Sequence, residues 1–410
     1  SMEDIITSKL EDIVDKFSKF SVRVKIVAPV NTRNEGNLKI KQIRDVEIWD
    51  LLGKSSIAIK NSLVQEELFD KVILITGAAG SIGSEIVRQI SKYKYKKLIL
   101  LDQAESPLYN LEQELFQTGK KDIEAIVADI GNKDRITKIF DVHIPNLVFH
   151  AAAYKHVPLM ENNPFEAVNV NICGTKILAD VSVLKNVEKF VLISTDKAIN
   201  PTNVMGATKR IAEMYISCLE NTSNTKFITT RFGNVLDSNG SVIPLFKKQI
   251  ENGGPVTVTH KEITRFFMTI HEACQLVLEA GAMGKGGEIF VFDMGEAIKI
   301  HDLALKMIQL NELKYPEDIK IKITSLRPGE KIYEELLAKG ENTQPTYHEK
   351  IMIAKVKPLD SEMVKPAIES LCLLNAEINN KKTVIKMKEI VPEFISNNSM
   401  YEVLDEGIQQ

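Results

Sequence analysis

One short stretch restricts the fold of this chain more than any other. The apolar run Val72-Ile73-Leu74-Ile75 leads into Thr76-Gly77-Ala78-Ala79-Gly80-Ser81-Ile82-Gly83, and a helical pattern follows from Ser84. Glycines 77, 80 and 83 permit a tight turn, let backbone N–H groups approach a pyrophosphate, and seat helix on strand; Ser81 and Ile82 complete the binding turn. A glycine triplet alone is a weak signal. Here a second apolar strand, 97–101, ends on Asp102, placed to accept hydrogen bonds from both ribose hydroxyls of an adenosine. No arginine follows immediately to receive a 2′-phosphate, so NAD is expected over NADP.

Further strands, expected at 123–127, 147–149 and 189–193, alternate with helical segments such as 107–117. Their near-continuous apolar character suits a sheet covered on both faces. The expected class is α/β: a Rossmann-type, doubly wound parallel sheet with a smaller C-terminal substrate-binding domain. The expected boundaries are 1–66 for an N-terminal helix and partial stump, 67–230 for the NAD-binding domain, 231–355 for a substrate-binding region, and 356–410 for a helical extension. Within these, residues 3–18 read as an amphipathic helix and 22–26 and 38–40 as short strands. Beyond 231 the order loosens, with helices near 242–251, 271–281, 301–310, 330–337 and 361–378.

With 52 basic and 55 acidic residues among 410, the formal charge of −3 offers no field for nucleic acid or anionic lipid. Cysteines 173, 218, 274 and 372 have neither metal-ligand nor disulfide-scaffold spacing and read as reduced core residues. The seven histidines are dispersed, and no metal is expected. No apolar run approaches the roughly 18 residues that span a bilayer. Ser1-Met2 reads as the remnant of a cleaved expression tag ahead of a start codon.

The crevice at the carboxyl ends of the strands gathers the remaining candidates. Asp129 and Ile130 are placed to meet the adenine, with a helix cap as the other use of Asp129. Ala151, Ala152 and Ala153 leave room for ribose and phosphates, and Lys155 and His156 follow on a loop. Asn169 interrupts a helical run and is placed to hold a water or a carbonyl behind the site. Strand 189–193 delivers Ser194, Thr195, Asp196 and Lys197. Lys209 lies one helical turn after Met205, so both face one groove, and Lys209 suits the nicotinamide ribose.

These motifs carry a resemblance. The glycine triplet, Ala151-Ala152-Ala153-Tyr154-Lys155-His156-Val157-Pro158, Ser194-Thr195-Asp196-Lys197-Ala198, Asn200 through Arg210, Arg231-Phe232-Gly233-Asn234-Val235, Thr264 through Met268 and Arg327-Pro328-Gly329-Glu330-Lys331 resemble the extended short-chain dehydrogenases. In particular, residues 68–350 are similar to the bacterial UDP-N-acetylglucosamine 4,6-dehydratases. Met205 departs from the family archetype, which has tyrosine there; a thioether takes no proton. Methionine and Asp102 both fit the long, membrane-anchored branch that retains configuration at C5.

The resemblance implies oxidation at C4 and elimination of water across C5–C6. Lys197 is the implied base at C5, Asp196 the acid at C6, and Thr195 a partner of the C4 hydroxyl. The C4 proton leaves through Thr195 to water, a ribose hydroxyl or Lys209, or by way of Asp196. Burial must push Asp196 and Lys197 toward their neutral forms, whereas a plain ion pair at the strand end opposes this. Arg231, Arg265 and Arg327 are implied ligands of the diphosphate, with Asn234 and Glu330 nearby; isolated surface salt bridges are the bland alternative. The same resemblance implies a homo-oligomer, upstream membrane helices with the active domain on the cytoplasmic face, and an aminotransferase acting on the product. The competing functions are an NAD-dependent nucleotide-sugar 4-epimerase and a non-enzymatic nucleotide-binding scaffold.

Overall fold

The computed structural model describes residues 10, 25–27, 43–52, 61–220, 222–337, 342–356 and 359–405. The chain forms two units, one drawn from 59–234, 270–296 and 326–410, the other from 1–58, 235–269 and 297–325. The chain thus leaves the first unit and re-enters it twice, so the 231–355 region of the sequence does not stand as one block.

The larger unit is built on a nine-stranded sheet. Its strands are β1 (Val72–Thr76), β2 (Lys97–Asp102), β3 (Ile123–Val127), β4 (Leu147–His150), β5 (Lys189–Ile193), β6 (Lys226–Arg231), β7 (Ile289–Phe292), β8 (Asn342–Pro345) and β9 (Ile351–Lys355). Their order is β8-β9-β7-β6-β5-β4-β1-β2-β3. The seven strands from β3 to β7 are parallel, while β8 and β9 form an antiparallel edge. Leu74 sits opposite Ile99 on one side and Val148 on the other, and all five residues of β1 are buried. Strand order reverses between β1 and β4, the switch point at which such sheets bind nucleotides.

The helices that matter to the site are α1 (Ser81–Ile90), α2 (Glu105–Gln117), α3 (Lys133–His143), α4 (Thr175–Leu184) and α5 (Val204–Glu220). Helix α5 is buried along nearly its whole length. A π-helical turn, Asn169–Gly174, precedes α4. The continuous helical run Pro164–Leu184 is long and apolar enough to cross a membrane, contrary to the sequence expectation, yet 61% of its most apolar window is buried inside the protein. It packs in the core alongside α5.

Several expectations need correction. The order does not loosen into loops beyond 231, because β7, β8 and β9 continue the main sheet. Residues 330–337 are irregular, not helical. The C-terminal segment holds two helices, α6 (Ser361–Asn375) and α7 (Asn380–Ile390), in place of one over 361–378. Cys173, in the π turn, is disulfide-bonded to Cys372 on α6, their Cα atoms 5.8 Å apart; Cys218 and Cys274 are free and buried, as expected.

In the smaller unit, Lys25–Val27 pairs antiparallel with Ile43–Asp45. Val46 and Leu51 bury against Leu10, Ile26 and Leu310, so the N-terminal piece shares a small core with the 297–325 segment. The expected helix at 3–18, apart from Leu10, and the strand at 38–40 lie outside the described residues.

Candidate active site

The nucleotide end is made mostly of backbone. Gly77 has φ of +66°, and a Cβ there would fall 2.5 Å from the Ala152 nitrogen, so only glycine lets this turn lie against the end of β4. The resulting cleft, about 720 Å³ of open space, is lined by Gly77, Gly80, Asp102, Asp129, Ile130, Ala151, Ala152 and Ala153 among others. Ser81, Ile82 and Gly83 open α1 just behind it, where the N-terminal end of the helix dipole favours an anion. Asp102 accepts hydrogen bonds from Ala79 N and Ala104 N at 2.9 Å each, which fixes its carboxylate at the cleft wall. Asp129 accepts from Gly131 N at 2.8 Å, and Asn132 caps α3 instead. These residues fit a dinucleotide.

Beneath this turn, His150 is a support that the sequence did not disclose. Its Nδ1 lies 2.7 Å from Thr76 Oγ1 and its Nε2 lies 2.8 Å from Thr175 Oγ1. Thr175 donates its own proton to Asn171 O at 2.7 Å, so Nε2 carries the imidazole proton and Thr76 donates to Nδ1. Burial, aided by the charge of Lys209, pushes His150 down to about 3 and keeps it neutral.

The reacting end is made of side chains. Thr195 Oγ1 donates to Asp196 Oδ1 at 2.8 Å, and Lys197 Nζ donates to the same oxygen at 2.9 Å. Lys197 also donates to Asn234 Oδ1 at 2.9 Å, so Asn234 meets the candidate base directly. Asp196 Oδ2 is buried with no hydrogen-bond partner among the described residues. Met205 is 3% exposed and joins the hydrophobic core around α5. Gly206 follows because a Cβ there would sit 2.2 Å from Lys197 O; α5 packs directly on the backbone that presents Asp196 and Lys197.

Lys209, one turn further, donates to Ile193 O at 2.7 Å. Burial lowers its ammonium to about 8, and Glu213 one more turn along opposes the shift. Glu213 itself gathers Ser194 Oγ at 2.6 Å and Arg231 Nε and Nη2 at 2.9 and 2.7 Å. Burial pushes the Glu213 carboxyl up, but Arg231 and Arg210 outweigh it and hold it below its ordinary range. Arg231, 1% exposed, therefore departs from its expected place on the diphosphate: its fork is committed to a buried carboxylate.

Asn169 also departs from expectation. It faces the outer cleft with Asp129 and Lys133, while the carbonyl-holding role falls to Asn171. Asn171 accepts from Tyr154 N at 2.8 Å and donates to Tyr154 O and Thr208 Oγ1 at 3.0 Å each. The wider π turn changes which residue faces inward, a shift a 3.6-residue period cannot register.

Lys155 and His156 are exposed, with His156 at the N-terminus of helix Val157–Asn162. Arg327 is exposed, and Glu330 Oε2 accepts its backbone N–H at 3.0 Å. Gly329 O in that turn accepts from Thr202 Oγ1 at 3.1 Å and Asn203 Nδ2 at 3.0 Å, fixing it to the residues ahead of Met205. The C-terminal segment binds the same place: Ile395 N donates to Pro201 O, Asn397 N to Thr202 O, and Gly329 N to Asn397 O. Ser399 donates to Glu161, whose other oxygen accepts from Val204 N at 2.6 Å at the start of α5. Arg265 belongs to the smaller unit, where it is 7% exposed and donates to Thr264 O at 2.7 Å.

A glycine-turn nucleotide cleft, a strand-end Thr-Asp-Lys and a helix lysine on one parallel sheet define an extended short-chain dehydrogenase/reductase enzyme of the nucleotide-sugar dehydratase and epimerase class. The chain belongs to the polysaccharide biosynthesis protein family, whose pattern matches residues 73–356. The capsular polysaccharide biosynthesis protein CapD of Staphylococcus aureus is 53% identical over 339 residues, which are 82% of this chain but 56% of that protein. The chain thus spans little more than half of CapD. A UDP-N-acetylglucosamine 4,6-dehydratase (inverting) of Campylobacter jejuni is 33% identical over 68% of this chain and 80% of its own length. A UDP-glucose 4-epimerase of Rickettsia rickettsii is also 33% identical, over 66% of this chain and 79% of its own. Among solved structures, Pen from Bacillus thuringiensis superimposes with a TM-score of 0.66 at 39% identity, over 72% of this chain and 90% of that one.

Proposed function

We propose that this protein is a 4,6-dehydratase that converts UDP-N-acetylglucosamine to the 4-keto-6-deoxy sugar with C5 configuration retained, using bound NAD. The observation that carries the proposal is the hydrogen bond from Thr195 Oγ1 to Asp196 Oδ1 beside Lys197, on a site where Met205 replaces a proton-accepting residue. Bound NAD supplies the hydride acceptor for C4 and the hydride donor for C6. Asp102 holds the adenosine ribose and Lys209 the nicotinamide ribose.

The chain's own residues handle the protons. Thr195 accepts the C4 hydroxyl proton as it passes its own to Asp196, which removes the need for Asp196 to be protonated at rest. Asp196, now an acid, protonates the departing C6 hydroxyl, so the proton lost at C4 leaves in the water. Lys197 takes the C5 proton and returns it to the same face, as retention requires. Arg327 serves the diphosphate and Asn234 and Glu330 the adjoining sugar, with Lys155 and His156 at the rim. A homo-oligomer, membrane helices upstream and an aminotransferase using the product complete the reading.

The test is product analysis with purified protein and UDP-N-acetylglucosamine. A product lighter by one water, with a C6 methyl and unchanged C5 configuration by NMR, supports dehydration. A product that keeps its C6 oxygen and is inverted at C4 overturns it in favour of the 4-epimerase, the second reading, which the Rickettsia enzyme's equal identity keeps in play.

A further inference from the structure

Lys197 faces two carboxylates. Its Nζ lies 2.9 Å from Asp196 Oδ1 and 3.6 Å from Glu334 Oε1, with the Asn234 side-chain oxygen at 2.9 Å as a neutral third neighbour. The three charged side chains are 18%, 0% and 3% exposed for Lys197, Asp196 and Glu334. Glu334 arrives on the irregular segment that follows the Arg327–Glu330 turn, and that turn is fixed to Asn203 through Gly329 O. Other charges of this segment are directed elsewhere. Lys331 donates to Ile199 O and Glu335, Glu335 also accepts from Asn200, and Glu330 accepts from Arg327 N.

The arrangement addresses a difficulty in the dehydratase reading, on which this inference rests. Lys197 must be neutral to remove the C5 proton, while Asp196 is occupied by the proton from C4. We propose that Glu334 takes the Lys197 proton and holds it while Lys197 works at C5. The step is an internal transfer: the ammonium N–H bond breaks, a carboxyl O–H bond forms, and no net charge moves in or out. Burial favours such a neutral pair over an ion pair more than water does. A contraction of about half an ångström brings the two atoms to hydrogen-bond distance. When Lys197 has returned its proton to C5, Glu334 gives back the one it held. Glu334 touches no substrate and acts through Lys197.

The test is the pH dependence of C5 deuterium uptake from heavy water, in wild type, Glu334→Gln and Glu334→Asp with NAD and substrate. An internal transfer leaves the proton count unchanged, so wild-type exchange is flat across the neutral range. In Glu334→Gln the Lys197 proton must leave to solvent, and exchange falls about tenfold for each pH unit below the Lys197 pKa. Single-turnover oxidation at C4, followed by nicotinamide absorbance, stays within about twofold. Glu334→Asp keeps a flat profile at a lower rate. A Glu334→Gln profile parallel to wild type overturns the inference, because a packing role lowers the rate equally at every pH. If the glutamine variant does not fold, a pH-dependent Glu334→Asp profile overturns it. A wild-type enzyme that oxidises C4 but neither exchanges C5 nor loses water refutes the dehydratase reading itself.

Discussion

The two ends of the cleft are built from different materials. At the nucleotide end, backbone lines the cleft, and what matters is the absence of a side chain at Gly77 and of anything larger than a methyl along Ala151–Ala153. At the reacting end, side chains from 195–197, 209, 234 and 334 converge, and Lys197 and Lys209 depend on partners brought from other segments. The first end is therefore sensitive to added atoms, and the second to lost ones. The two ends are therefore expected to fail independently.

The sharpest break is Lys197→Ala. C5 exchange with solvent deuterium should fall by about 10²–10⁴-fold, while C4 oxidation in a single turnover survives. Undiminished exchange would remove Lys197 from its role. Gly77→Ala should do the converse, weakening NAD binding at least about tenfold because a positive φ and a backbone clash coincide; titration calorimetry with NAD measures it.

Gly206→Ala sits between the two ends. It should leave NAD affinity intact, slow turnover several-fold by displacing Lys197 O, and cost about 1–3 kcal/mol of stability in urea unfolding. Equal loss of NAD binding would show that the ends are coupled.

The mildest effect on activity concerns His150. Its folded pKa of about 3 lies below the ordinary 6.5, so between those values the unfolded chain binds more protons and stability falls as pH drops. His150→Gln should be less stable than wild type at neutral pH, and the gap should narrow at about pH 5 in urea unfolding. A constant gap would mean that His150 is not held neutral.

The same contrast explains what was legible in the sequence. Backbone sites announce themselves locally: Gly77, Gly80, Gly83 and Asp102 sit within one strand-turn-helix-strand passage, and β1 to β5 follow from their apolar runs. Side-chain sites gathered over distance do not. Nothing in the spacing tells that Arg231 faces Glu213, that Asn234 meets Lys197, or that Glu334 returns to Lys197. Strand β7 was hidden because its four apolar residues follow a glycine-rich stretch that reads as loop. The π turn gave Asn171 the carbonyl-holding role expected of Asn169, since periodicity assumes a regular helix.

The contacts of Ile395, Asn397 and Ser399 with 201–202 and Glu161 also set an order in time. A ribosome releases the N-terminal part of a chain first, at roughly 5–20 residues per second. The loop ahead of Met205 emerges early and then waits on the order of ten to forty seconds for the C-terminal residues that fasten it. Until then the nucleotide turn has all its parts and the reacting end does not, so a nascent chain able to hold a dinucleotide would precede one able to turn over a sugar.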